Sequence, residues 1–369
     1  MKNAKTALKA IWAGSCMLIL ILDSRTALNA AREGITLCIN TVIPSLFPFF
    51  VLSCLLTGYL DQFQFRFLRP LGVLCKMPRG SEPLMLLGLL GGYPAGARNI
   101  AQSHSTGSLT TQDARRLLGF CSNAGPAFIF GVAAGQFREK WVPWALWAVH
   151  IISAVLTGML LSGKAKDHAK TYRGASLSLP QALDSALRTT ARVCGWVMLF
   201  RILLDFLEKW LSFLFSNEAQ IILSGLTELS IGCSSLGVIE NTGTRFVICA
   251  VMLGFGGLCV LMQTVSVTGK LGLGAYIPGK LLHAALSFQL SYQLQYLILP
   301  SEARLVLPTG FILIFWVCLF IIKITVAIPG FMMYNHGNIR DLRSRLCFSV
   351  KIFQKPATTV PTAPAMKKG

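Results

Sequence analysis

Charge is what this sequence lacks most. Only 13% of its 369 residues are Asp, Glu, Lys or Arg, against 53% that are hydrophobic, and the mean hydropathy is +0.60. A soluble domain averages about 25% charged residues, which keep its surface in water. The deficit excludes a chain covered mainly by water, so the first partner is a lipid bilayer. Acidic residues are the scarcer sign, 15 against 34 Lys and Arg, for a net charge of +19. That excess does not point to nucleic acid, because the basic residues lie in gaps between apolar runs and form no patch interleaved with aromatics. The five histidines (His104, His150, His168, His283, His336) are dispersed, none at helical spacing from another, so no metal site is expected. The eleven cysteines form no CxxC pair, and most lie inside apolar runs (Cys16, Cys38, Cys54, Cys121, Cys194, Cys249, Cys259, Cys318), where cysteine behaves as a small hydrophobe. HExxH, GxSxG, a Walker loop and a dinucleotide fingerprint are all missing, so neither a cofactor nor an enzymatic activity is expected. A membrane enzyme with dispersed residues, acting on a lipid-linked precursor, stays open as an alternative.

What is present is a series of apolar runs. A spanning helix needs roughly 20 mostly apolar residues. Runs at residues 7–22, 34–60, 117–137, 142–161, 193–207, 246–268, 277–299 and 305–328 predict an all-α polytopic membrane protein of about eight transmembrane helices. Residues 1–26 are either an N-terminal anchor or a signal peptide cleaved near Ala27–Ala31. The positive-inside rule puts both termini in the cytoplasm. The inside loops then carry Arg66, Arg69, Lys76, Arg79, Arg115, Arg116, Lys164, Lys166, Lys170, Arg173 and Arg188, while the outside loops are near neutral. Trp141, Trp144 and Trp210 fall at outer boundaries as interfacial anchors. The basic tail, residues 329–369, is cytoplasmic, and Arg340, Arg343, Arg345, Lys351 and Lys355 face anionic lipid.

Two segments fit no spanning helix. Residues 84–90 are apolar but short and run into Gly91-Gly92-Tyr93-Pro94-Ala95-Gly96; residues 220–236 carry Thr227, Glu228 and Ser230 between Gly225 and Gly232. Each reads as a re-entrant hairpin with a broken tip, tolerated at membrane depth only where protein or water covers it. The two occupy matching places. Gly88-Leu89 resembles Gly225-Leu226, Gly119-Phe120 resembles Gly254-Phe255, and Val142-Pro143 resembles Ile277-Pro278, at nearly the same spacing. Residues 27–165 and 180–299 therefore read as two repeats of the order span, hairpin, broken span, span. An odd number of crossings inverts the second, as in transporters whose site lies near the midplane.

Polar residues inside a membrane are costly and usually functional. Four sets stand out as a candidate substrate site. The first is Gly91, Gly92, Tyr93, Pro94 and Gly96 with Arg98 and Asn99, where turned backbone offers N–H groups to a polar ligand, or where a packing turn leaves Arg98 at the interface. The second is Ser122, Asn123 and Gly125 before Pro126, which removes a donor and breaks the span, or kinks it against a neighbour. The third is Thr227, Glu228 and Ser230. A carboxyl at the membrane's middle must pair, protonate or bind a cation, which makes a coupling H+ or Na+ one reading and an ion pair with Arg201 the other. The fourth is Gly254-Phe255-Gly256-Gly257 with Gln263, matching the first broken span, or packing closely through small residues.

Leu90 to Ala97 and Cys121 to Phe128 resemble the signature of the YlbJ-type sporulation integral membrane proteins, which carry a nucleoside recognition, or Gate, domain. Thr227 to Gly232, Leu253 to Gly257 and Gly279-Lys280-Leu281-Leu282 resemble that family's second half. Arg98 and Ser122 depart from its pattern, standing where lysine and asparagine are expected. The resemblance, from Arg32 to Leu299, implies a transporter-like protein in the cell membrane or a forespore-associated membrane of a sporulating bacterium that binds or moves a small polar solute, nucleoside-like or other. A non-transporting scaffold for cortex assembly is the rival; the sequence leaves the oligomeric state open. The topology predicts that single cysteines placed at Lys166 and Arg188 react with impermeant maleimide only from the cytoplasmic face. Labelling from outside would sink the inverted arrangement.

Overall fold

The computed structural model describes residues 2–60, 66–161 and 177–307. The basic loop around Lys166, the basic tail and the expected last span from residue 308 onward lie outside them. Among the described residues every regular element is a helix. After α1 (Lys2–Leu22), α2 (Ser24–Leu37) and α3 (Ile43–Leu60) run on through a π-helical turn at Cys38–Val42. The turn precedes Pro44, which has no N–H to give, and the Ser45 hydroxyl donates instead to the Thr41 carbonyl at 2.6 Å. A short α4 (Arg69–Leu74) follows, then the hairpin α5 (Glu82–Gly91) and α6 (Ala95–Ser105). The interrupted pair α7 (Thr111–Leu117) and α8 (Pro126–Gly131) leads into α9 (Val142–Leu160). The same order recurs: long α10 (Leu179–Leu211), hairpin α11 (Asn217–Thr227) and α12 (Leu229–Ser235), interrupted α13 (Thr242–Phe255) and α14 (Gly257–Thr268), then α15 (Tyr276–Ile298).

Among the described residues three stretches are long and apolar enough to cross a membrane: Ser24–Leu56, Val142–Leu160 and Thr242–Leu271. The expected count of about eight exceeds this for physical reasons. The run at 193–207 belongs to a helix of 33 residues that starts at Leu179, behind a Ser178–Gln181 capping box. Within and just beyond that run it carries Arg201, Asp205, Glu208 and Lys209, too much charge for an unbroken apolar span. The run at 277–299 is interrupted by Lys280 and several glutamines, and 117–137 is not one helix but α7, an irregular turn and α8. Pro126 therefore starts α8 rather than kinking a continuous span.

The long helices hold the assembly together. Lys209 pairs with Asp23 and Arg201 with Glu33, while Cys38 reaches the Cys194 carbonyl and Cys54 the Ser185 hydroxyl, so α10 lies antiparallel along α2 and α3. Elsewhere α9, α13 and α15 pack into an apolar core that includes Leu146, Val149, Phe246, Leu253 and Tyr292. The outward faces stay apolar: Ile11, Trp12, Leu52, Trp144 and Leu199 are all more than half exposed, the pattern of a lipid-facing surface.

Both hairpins close through glycine. A Cβ on Gly232 would lie 2.1 Å from the Gly225 Cα, and one on Gly96 would lie 3.0 Å from the Gly88 Cα. The two arms of each hairpin therefore touch backbone to backbone, where no larger residue fits. Gly232→Val should lower the unfolding free energy by about 1–3 kcal/mol, the cost of overpacking a close contact. The loss would be read as a lower thermal midpoint in detergent; an unchanged midpoint would mean that the arms separate freely.

Candidate functional site

The interrupted segments converge on one amine. Lys280, in the second turn of α15, is 1% exposed. Its Nζ donates to the Tyr93 hydroxyl at 2.8 Å and to Asn123 Oδ1 at 3.4 Å. It also stands 4.9 Å from the Tyr93 ring centroid and 5.8 Å from that of Tyr276, within range of cation–π attraction. Tyr93 is the tip of the first hairpin, and its hydroxyl donates onward to the Leu253 carbonyl at 3.5 Å. Asn123 lies in the turn between α7 and α8, fixed by its Nδ2 donating to the Phe120 carbonyl at 2.7 Å. Among the described residues no carboxylate forms an ion pair with Lys280.

Gly256 explains how Tyr93 reaches this place. It separates α13 from α14 in the left-handed region, φ +87°, which glycine adopts without strain. A Cβ there would press on the Tyr93 hydroxyl at 3.1 Å, and one on Gly257 would press on the Gly225 carbonyl at the same distance. The break between α13 and α14 thus lies between the two hairpins. On the other side of the tip, the Gly92 and Gly125 backbones meet so closely that a Cβ on Gly92 would be 3.0 Å from the Gly125 nitrogen.

The expected site residues divide into three groups. Tyr93, Asn123 and the Gly92–Gly125 contact surround Lys280. Ser122 lies beside Asn123, fully buried, its hydroxyl with no hydrogen-bond partner. Gly91 packs on Ser53 of α3, Gly96 faces the Cys121 carbonyl, and Pro94 caps α6. The second group is at the other hairpin. Glu228 separates α11 from α12, and its carboxylate accepts the Ile231 N–H at 2.7 Å as an N-cap, with Ser230 and Cys259 beside it. Gln263 donates to the Cys259 sulfur at 3.4 Å, and Thr227 is buried at the end of α11. The partner considered for Glu228, Arg201, is instead taken by Glu33 at 2.5 Å and Asp205 at 2.9 Å. A second buried acid, Glu82, is held by Arg69.

Arg98 and Asn99 form the third group, apart from Lys280. Arg98 donates to Ser185 at 3.0 Å, to Thr189 at 3.1 Å and to the Cys54 sulfur at 3.2 Å. It lines an open cleft of about 640 Å³ with Asn99, Gln102, Gln181 and Asp184. Through these contacts it ties α6 to α10.

Sequence reasoning missed Lys280, His150 and His283 as site residues. Lys280 carried the same mark as Glu228, an ionisable group inside an apolar run. The histidines carried none, because only the packing of α9 on α15 brings them together.

These features define a helical integral membrane protein whose hairpins and broken helices meet at a buried polar site. The chain is similar to the sporulation integral membrane protein YlbJ of Bacillus subtilis (strain 168), 24% identical over 296 residues, covering 68% of this chain and 72% of that protein. The likeness supports the YlbJ-type family and a membrane location. No family model matches the chain. No solved structure matches it either.

A buried ammonium without a counter-ion costs stability. Lys280→Met should leave the thermal midpoint of the purified protein unchanged or raise it. A marked fall would make the amine a structural tie.

Proposed function

We propose that this is a transporter-like sporulation membrane protein that binds, and moves, a small polar solute bearing negative charge. The observation that carries the reading is the Lys280 amine, buried where a hairpin tip and two helix breaks meet, and facing oxygens and aromatic rings rather than a carboxylate. An anionic group beside it would supply the missing charge, and the start of α15, one turn away, favours negative charge as well. A neutral nucleoside, the solute suggested by the Gate-domain resemblance, would leave that amine uncompensated.

The proposal includes two inverted repeats within about eight spans, with both termini cytoplasmic. The recurrence of long helix, hairpin, interrupted helix and long helix supports it, as does the antiparallel run of α2–α3 against α10. Irregular backbone at membrane depth is tolerated where it lines a site, and transporters use such breaks to hold solute and ion. Glu228 at the second hairpin would then hold the coupling cation, H+ or Na+. Placement in a forespore-associated membrane is part of the same proposal; the name of the relative supports sporulation and a membrane location.

The test is thermal unfolding of the detergent-purified protein with carboxylates, phosphate esters and nucleosides. A ligand at 100 times its Kd stabilises by about 2.7 kcal/mol. Stabilisation by an anionic solute, lost in Lys280→Met, is expected. Stabilisation by nucleosides alone would reverse the charge assignment. No shift with any solute would leave the scaffold as the better reading.

A further inference from the structure

Beside Lys280 lie two histidines that the solute site does not use. His150 of α9 and His283 of α15 are at most 1% exposed, with ring centroids 4.5 Å apart and planes tilted by 33°. Their contacts fix the tautomers. His150 Nε2 accepts the Ala124 N–H at 3.0 Å, so its proton is on Nδ1. His283 Nε2 faces the His150 carbonyl at 3.1 Å and must donate to it, so its Nδ1 carries a lone pair. Both Nδ1 atoms are buried without a hydrogen-bond partner among the described residues. Ser153, one turn from His150, and Ser287, one turn from His283, likewise have buried hydroxyls without partners. Buried polar groups are nearly always paired, and four unpaired ones along two facing helices mark a site built for something else.

We propose that His283 Nδ1 is a proton-binding site whose occupancy is set by the charge at Lys280, so that an anionic solute and a proton enter together. His283 would take a proton from water and become an imidazolium. The ionisable groups that act on it are His150 across the pair and Lys280 on α15; Tyr93 at the hairpin tip, Tyr276 on α15 and Cys121 in the α7–α8 turn lie about Lys280, and Cys75 lies against α9 at Val155. Cys249 of α13, which packs on both helices, lies beside Cys233 instead. Lys280 is the amine among them, one helical turn from His283, with Cβ atoms roughly 5–6 Å apart by helix geometry. A charged Lys280 adds to the cost of burying a second positive charge there, and an anion bound to it removes that added part. The coupling rests on the reading of Lys280 as an anion site; the proton site itself rests only on the histidine geometry. It holds whichever cation Glu228 takes.

A measurement that needs no solute separates the two. The whole protein, labelled with ¹⁵N-histidine in detergent, is titrated with acid, with His283→Gln used to assign the signals. Neutral His150 should report Nδ1–H and neutral His283 Nε2–H. In Lys280→Met, and in Lys280→Gln as a second variant, the imidazolium-to-imidazole ratio of His283 should rise at least roughly tenfold at a given pH. An unchanged ratio in both variants overturns the proposal, as does titration of His150 in its place. Wild-type protein with succinate and with inorganic phosphate forms the second arm. A rise in the His283 ratio with either anion supports the coupling. A response to Lys280→Met but to neither anion keeps the proton site and overturns the coupling, and with it the anionic solute.

Discussion

A buried ammonium must be held by something, and here the Lys280 amine is held by parts of three interrupted segments at once. The Tyr93 hydroxyl comes from the tip of one hairpin, the Asn123 carbonyl oxygen from the turn between two short helices, and the space for Tyr93 from the left-handed glycine between two others. Local bonds such as Gly256 N–H to the Met252 carbonyl and Asn123 Nδ2 to the Phe120 carbonyl satisfy only part of each break. Each leaves backbone and side-chain groups that must find partners elsewhere, because hydrocarbon supplies none. These three breaks therefore meet around one amine.

Glycine makes that convergence geometrically possible. The hairpin arms cross at Gly88 and Gly96 in one half and at Gly225 and Gly232 in the other, with backbones closer than any side chain allows. Such contact brings the tip of a hairpin within reach of a facing break. In the absence of a hydrophobic driving force between helices in lipid, close packing through small residues is also what holds such pieces together. The same residues that interrupt the helices therefore supply the contacts that replace them.

Much of this was legible in the sequence because it follows from local rules. Gly91-Gly92-Tyr93-Pro94 and Gly256-Gly257 announce breaks wherever they occur, and a carboxyl such as Glu228 inside an apolar run announces a polar junction. What was not legible depends on which helix packs on which. The first turns of α10 are charged, so hydropathy alone cut that helix short, although its capping box marks the true start. His150 and His283 lie far apart in the chain and become a pair only through the packing of α9 on α15. Arg98, adjacent in sequence to the hairpin tip, turns away from Lys280 because α6 carries it toward α10. Proximity along the chain was a poor guide to it, and a side chain of that length reaches whichever helix faces it.

The two halves repeat the order of their elements but not their charge. At the first hairpin the buried group nearby is an ammonium, and at the second it is a carboxyl, each set beside a helix break and each without an ion pair to the other. Had the two been paired, each would neutralise its partner and the junction would be a structural tie between hairpins. Held apart, with Gly256 and Gly257 between them, each lacks an oppositely charged partner among the described residues. Such an arrangement is costly for folding alone. On the proposed reading, an anion at one hairpin and a cation at the other would each supply the partner that the fold leaves out.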